Sequence, residues 1–186
     1  RDLRQEANIQ ALGAVLSVPA TSGFITIASL PQMSREEIEK AIPFEARRYI
    51  PIPLSEIVLE WEIMDDGGES KNISVLLLAI PKELVDTFRR ISEDAGFRLR
   101  ALEIETLSAV RALVGNDTTP SAVINIGHQA TSLAIVDRAK IRLAQNFSHG
   151  SNELTLALER GLGISHERAE ELKKDIGISE RIEEQE

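Results

Sequence analysis

Asn125-Ile126-Gly127-His128-Gln129-Ala130-Thr131 is the stretch on which the reading of this chain turns. Ser121 to Ile126 alternates toward β structure, and Thr131 to Asp137 returns as a second strand. Between them Gly127 can take backbone angles that a Cβ would forbid, and a turn of this kind can aim backbone N–H groups at an anion. A glycine between two strands is equally an ordinary turn, so the segments that follow must decide. Asp137-Arg138-Ala139-Lys140 reads as a polar turn into a third strand, Ile141 to Phe147, which ends at His149-Gly150-Ser151-Asn152. A helix then starts, which Ser151 or Asn152 can cap, with Leu154, Ala157, Leu158 and Leu162 at helical spacing along one face. Gly161 and Gly163 break it, Ser165 caps the next helix, and Glu170 and Lys173 stand three apart on that helix. A phosphate grip built from these parts requires Gly127 and Gly150 to lie side by side.

The earlier half alternates strands with two helices. Ala11 to Val18 and Phe24 to Leu30 read as strands broken at Pro19 and Gly23. Ser34 with Glu37 forms a capping box for a helix whose apolar face is Ile38, Ala41, Ile42, Ala46 and Tyr49. Pro43 falls inside that pattern and predicts a kink or a restart, because proline in a helix interior costs about 3 kcal/mol. Ile57, Leu59, Trp61 and Ile63 alternate with Val58, Glu60 and Glu62, giving a strand with one buried face; Asp65 to Gly68 is the turn toward a strand from Ile73 to Ile80. Pro81 opens a helix with Leu84, Val85, Phe88, Ile91 and Ala95 along one side, Gly96 closes it, and Phe97 to Ala101 is a further strand. Trp61 and Tyr49 both fall on faces predicted to be buried, which favours core packing over partner contact.

Composition excludes several classes of function. The 186 residues are 42% hydrophobic, enough for one large core or two small ones, and no run of ~18 apolar residues is present to cross a bilayer. No cysteine is present, so disulfide frameworks and thiolate metal sites are excluded, and three scattered histidines do not make a transition-metal site. A net charge of −9 disfavours nucleic acid or an anionic bilayer as a direct partner. No serine, histidine and acid arrangement suggests triad chemistry, and Glu180 to Glu186 is an acidic tail.

Ser29-Leu30-Pro31-Gln32-Met33-Ser34 followed by Ala41-Ile42-Pro43-Phe44-Glu45-Ala46-Arg47-Arg48-Tyr49-Ile50-Pro51-Ile52-Pro53 resembles the PilM family, the actin-like proteins of type IV pilus assembly. The likeness continues through the Trp61 strand, Leu76-Leu77-Leu78-Ala79-Ile80-Pro81-Lys82, Ala95-Gly96-Phe97 and Asn125-Ile126-Gly127, over roughly residues 13 to 175. The resemblance implies an α/β fold with mixed sheets packed with helices: an α+β inserted subdomain plus part of an actin or ribonuclease H-like lobe. It implies a remnant of subdomain 1A at 1–23, a small inserted 1C-like subdomain at 24–104, a connecting helix at 105–117, and at 118–186 part of the second lobe. It further implies ATP and Mg in the intact parent, with one of two phosphate grips held here and no cofactor expected on this chain alone.

On that resemblance the cofactor-binding positions are Asn125, Gly127, Thr131, Gly150, Glu170 and Lys173. Gly127 and Thr131 match the turn and hydroxyl of the phosphate loop, Gly150 the glycine at the helix start, and Glu170 with Lys173 an E-x-x-K pair beside the adenosine. Asn125 stands where the family pattern more often has aspartate, which would orient water around Mg; an amide brings no negative charge, and turnover by this chain is not expected. The implied partner is the cytoplasmic tail of a PilN-like membrane protein, received in a groove beside the inserted subdomain with Phe44 to Pro53 nearby. Other platform proteins would be reached indirectly, a homo-oligomer is compatible, and the location would be cytoplasmic, peripheral to the inner membrane. A scaffold without turnover, an FtsA-like protein and a type II secretion platform protein are the alternatives.

Overall fold

The computed structural model describes residues 5–64 and 71–177; the expected turn at Asp65 to Gly68 and the acidic tail at Glu180 to Glu186 lie outside them. The chain is α/β, with eight strands in three sheets and five α-helices among the described residues. It divides into two compact units, residues 1–123 with 133–145 and residues 124–132 with 146–186.

In the first unit, β1 (Gly13–Val18) pairs in parallel with β5 (Arg98–Ile104), the register slipping between Ala14 and Val15. β2 (Phe24–Pro31), β4 (Asn72–Pro81) and β3 (Ile57–Met64) form an antiparallel sheet in the order β2-β4-β3. Because strand side chains alternate, one face of this sheet gathers Ala28, Leu30, Val75, Leu77, Ala79 and Ile57, and α1 (Arg35–Tyr49) covers it with Ile38, Ile42 and Ala46. The Ile57, Leu59, Trp61, Ile63 row predicted from the sequence packs on this core. Ser34 and Glu37 close the expected capping box.

Three sequence-based expectations change here. The helix runs through Pro43 without restarting: Pro43 and Glu39 are both on the solvent side, so water can satisfy the Glu39 carbonyl that proline leaves without a donor. Tyr49 is 43% exposed, whereas Ile50 is buried, because the covered row advances four residues at a time through Ile38, Ile42 and Ala46 to Ile50. The same drift acts in α2 (Lys82–Asp94), where Ile91 is exposed and Ser92 is buried with its hydroxyl donating to the Phe88 carbonyl.

The second face of the β2-β4-β3 sheet has two uses. At Ile25 and Ile27 it joins a core made by Val110 of α3 (Glu105–Leu113), Val123, Ala134, Val136 and Ile141. At Val58, Leu78 and Ile80 it walls a cavity of about 760 Å³, closed by Val85, Arg89 and Glu93 of α2 and by β5. The remaining strands, β6 (Ser121–Ile126), β7 (Thr131–Asp137) and β8 (Lys140–Phe147), follow in the order β6-β7-β8, and Arg138 and Ala139 take positive φ in the turn between the last two. α4 (Ser151–Leu162) and α5 (His166–Asp175) complete the second unit.

Candidate functional site

The hairpin and the start of α4 form one hydrogen-bonded junction. The Gly127 N–H donates to the Ala130 carbonyl at 2.9 Å and closes the loop. Ser151 N–H donates to the Gly127 carbonyl at 2.8 Å, and Asn152 N–H to the His128 carbonyl at 2.9 Å. The Thr131 hydroxyl donates to the His149 carbonyl at 2.7 Å. Gly150 sits in the middle: a Cβ there would lie 2.6 Å from the His128 oxygen and 2.7 Å from both the Ala130 nitrogen and the Gly127 oxygen. Its backbone is extended at φ −142°, so glycine is required by the closeness of the loop and not by torsion.

The helix start differs from the expected one. Gly150 is the cap residue, without a side-chain bond, and neither Ser151 nor Asn152 caps α4, because loop carbonyls already satisfy its first N–H groups. Those groups are the ones that would favour an anion at a helix start. Asn125 is half-buried on β6, on the strand face opposite the exposed Ile124 and Ile126.

Glu170 and Lys173 make the expected pair, Lys173 Nζ to Glu170 Oε2 at 2.6 Å, but they reach beyond their own helix. Thr155, fully buried on α4, donates to Glu170 Oε2 at 2.7 Å and accepts from Lys173 Nζ at 2.7 Å, and Lys173 Nζ also reaches the Ser151 carbonyl at 3.3 Å. Thr155 was not singled out by the sequence; its only signal is a hydroxyl amid leucines one turn after the helix start. This polar tie decides which face of α4 is covered. Leu154 and Leu162, which share one face of α4, are 60% and 59% exposed, because Thr155 turns toward α5. Ser165 caps α5 as expected, accepting from Arg168 N–H.

Hydrogen bonds from Lys173 and then Thr155 hold the Glu170 carboxyl at about 2, below its ordinary 4.5. A depressed carboxyl stabilises the fold fully above its unfolded pKa and loses that contribution as pH falls through the folded one. Glu170→Gln should therefore be less stable than the natural chain at pH 7, with the gap in thermal midpoint closing between about pH 4.5 and pH 2. A gap of constant size over that range, measured by thermal denaturation, would contradict the tie.

Among the described residues no group of three or more His, Asp or Glu side chains could hold a metal ion, and no helix is long and apolar enough to cross a membrane.

Comparison with known proteins agrees with this architecture. The family described as type IV pilus assembly protein PilM matches residues 1–185. The chain is 20% identical to the cell division protein FtsA of Bacillus subtilis (strain 168) over 190 aligned residues, covering 93% of this chain and 43% of that protein. Among solved structures it is similar to a PilM-PilN type IV pilus biogenesis complex, with a TM-score of 0.78 at 23% identity over 95% of this chain and 54% of that one. It is also similar to the cytoplasmic domain of EpsL from the type II secretion system of Vibrio cholerae, with a TM-score of 0.55 at 10% identity over 88% and 60% of the two chains. The fold, with its mixed sheets packed with helices, is α/β and is similar to that of the chain in the PilM-PilN complex. The chain belongs to the PilM family of type IV pilus assembly proteins. It spans about half the length of the relatives it matches, 43% of FtsA and 54% of the chain from the PilM-PilN complex.

Proposed function

We propose that this chain is the partner-docking part of an actin-like platform protein, and that the cavity in its first unit receives the cytoplasmic tail of a PilN-like membrane protein. The family match over residues 1–185 carries the reading, and the likeness to a PilM-PilN complex over 95% of the chain supports it. The cavity has the chemistry for a peptide: Val58, Leu78, Ile80 and Val85 are apolar, and Glu60, Glu93, Arg98 and Arg100 lie among them. At about 760 Å³ it can enclose several side chains. Phe44 and Tyr49, exposed on α1, lie on the other side of the β2-β4-β3 sheet from this cavity and do not line it. On this reading the protein is cytoplasmic and meets the inner membrane through its partner.

The junction of the second unit favours a scaffold over a turning-over ATPase. Asn125, Gly127, Thr131, Gly150, Glu170 and Lys173 remain the positions nearest a nucleotide in an intact parent, where Mg-ATP would supply a bound polyanion and its counter-ion. As placed, though, the Ser151 and Asn152 N–H groups, the Thr131 hydroxyl proton and the Glu170–Lys173 pair all have partners within the chain. Asn125 adds no charge to order Mg.

Calorimetric titration tests both parts. A synthetic peptide of the PilN-like tail should bind saturably, with Kd on the order of micromolar, and millimolar Mg-ATP should give no saturable heat. A folded chain that ignores the peptide would overturn the docking assignment. Tight Mg-ATP binding would overturn the scaffold.

A further inference from the structure

We infer that the outer face of α1 is a second docking surface, separate from the cavity, and that it takes an acidic segment of a protein partner with one large apolar side chain among its carboxylates. The covered row of α1 is Ile38, Ile42 and Ala46. Two residues further along a helix is about 200° around it, so Lys40, Phe44 and Arg48 stand opposite that row, and all three are exposed. Phe44 is 69% exposed and takes no part in the core beneath the helix. Side chains three and four apart on a helix are neighbours, which places Lys40, Arg47 and Arg48 around the Phe44 ring. The Arg47 guanidinium lies 5.7 Å from the ring centre, an attraction that holds ring and charge together before any partner arrives. In the stretch 41–53 the core accounts for Ile42, Ala46 and Ile50, and it leaves Phe44, Arg47 and Arg48 without a use.

Charge decides what covers this face. The chain as a whole carries −9, yet from Lys40 to Arg48 there are three cations and one carboxylate, Glu45, which pairs with Arg48 at 3.0 Å. Among the described residues Lys40 and Arg47 have no carboxylate partner. The other carboxylates of α1, Glu36, Glu37 and Glu39, come before Lys40, and Glu37 is engaged in the capping box. A lone apolar side chain on a surface is commonplace, but an aromatic ring flanked by arginines has the composition of an interface centre. A segment with a leucine or phenylalanine between acidic residues can lay its apolar group on Phe44 and its carboxylates on Lys40 and Arg47. An anionic bilayer carries the same sign of charge but extends far beyond one helix face, so it would also meet the acidic remainder of the chain. The face lies across the β2-β4-β3 sheet from the cavity, so both can be filled at once.

The test is fluorescence anisotropy of the full chain with a labelled synthetic peptide, a single phenylalanine flanked on both sides by glutamates. It should bind with Kd on the order of 0.1 mM at low salt, and several-fold more weakly at physiological ionic strength. Phe44→Ala, and the pair Lys40→Ala with Arg47→Ala, should each weaken it by about tenfold or more. Arg90→Ala, which removes an exposed cation from α2, should change it by less than about twofold. All these positions are exposed, so the Tm of each variant should match that of the natural chain. No binding at millimolar peptide, or equal weakening by Phe44→Ala and Arg90→Ala, would overturn the assignment of this face. Two other results would overturn it in favour of a different occupant: binding to phosphatidylglycerol vesicles without binding to the peptide, or self-association in sedimentation that Phe44→Ala abolishes while the peptide stays unbound. A cavity that fails to bind the PilN-like tail would leave this face unaffected.

Discussion

Gly150→Ala should lower stability by about 3 kcal/mol, a fall of roughly 6–12 °C in Tm, although the substitution adds a single methyl group. The three atoms that the new Cβ would meet, at 2.6 to 2.7 Å, are all backbone: the oxygens of His128 and Gly127 and the nitrogen of Ala130. A flexible side chain could swing aside at little cost, but these atoms are fixed by the Ser151 and Asn152 hydrogen bonds that join loop and helix. To admit the methyl, the loop must lift from α4 and strip both donors of their partners. Denaturation by heat or urea measures the loss. Gly163 is a useful contrast: it needs glycine for its φ of +65°, with nothing within 4 Å of its Cβ position. A Gly150→Ala variant as stable as the natural chain would mean that the hairpin does not sit against the helix start as described.

Leu77→Ala should cost about 3–4 kcal/mol. Leu77 is 1% exposed in the central strand of the β2-β4-β3 sheet, opposite Thr26 on one side and Trp61 on the other, beneath α1. Truncation removes a buried isobutyl group and leaves a cavity that strands paired on both edges cannot close. Chemical denaturation followed by Trp61 fluorescence reports the change in this core directly. A loss below about 1 kcal/mol would show that the helix is not seated on the sheet.

Local rules made much of this fold legible in the sequence. The Ser34–Glu37 capping box and the alternation from Ile57 to Ile63 depend on residues whose neighbours are fixed by spacing, and both are present, while the Gly127–Gly150 approach, which joins two elements, was expected only from the family resemblance. Expectations that depended on how helices meet other elements fared differently. The covered rows of α1 and α2 advance in steps of four, which exchanges Tyr49 for Ile50 and Ile91 for Ser92. In α4 the leucine spacing pointed one way and the Thr155 tie to Glu170 and Lys173 another, and the polar tie prevailed, since a buried hydroxyl without partners is costlier than an exposed leucine. The identity of the Glu170–Lys173 pair was readable; that it would bridge two helices was not, because the third member comes from another element. The cavity was invisible for a similar reason: its walls are drawn from β3, β4, α2, β5 and Leu107 of α3, which no single stretch of sequence brings together.

The central claim is that the partner's tail occupies the cavity beside β5. Ala101 is exposed, lines that cavity and carries the smallest side chain on its β5 wall, so Ala101→Trp fills the space without disturbing the buried core. The deciding measurement is the affinity of this variant for the tail peptide, in a sample whose Tm matches that of the natural chain. The account predicts a loss of at least about a hundredfold, since the indole and the peptide cannot share the groove. Binding within about twofold of the natural chain would contradict it and move the partner to another surface.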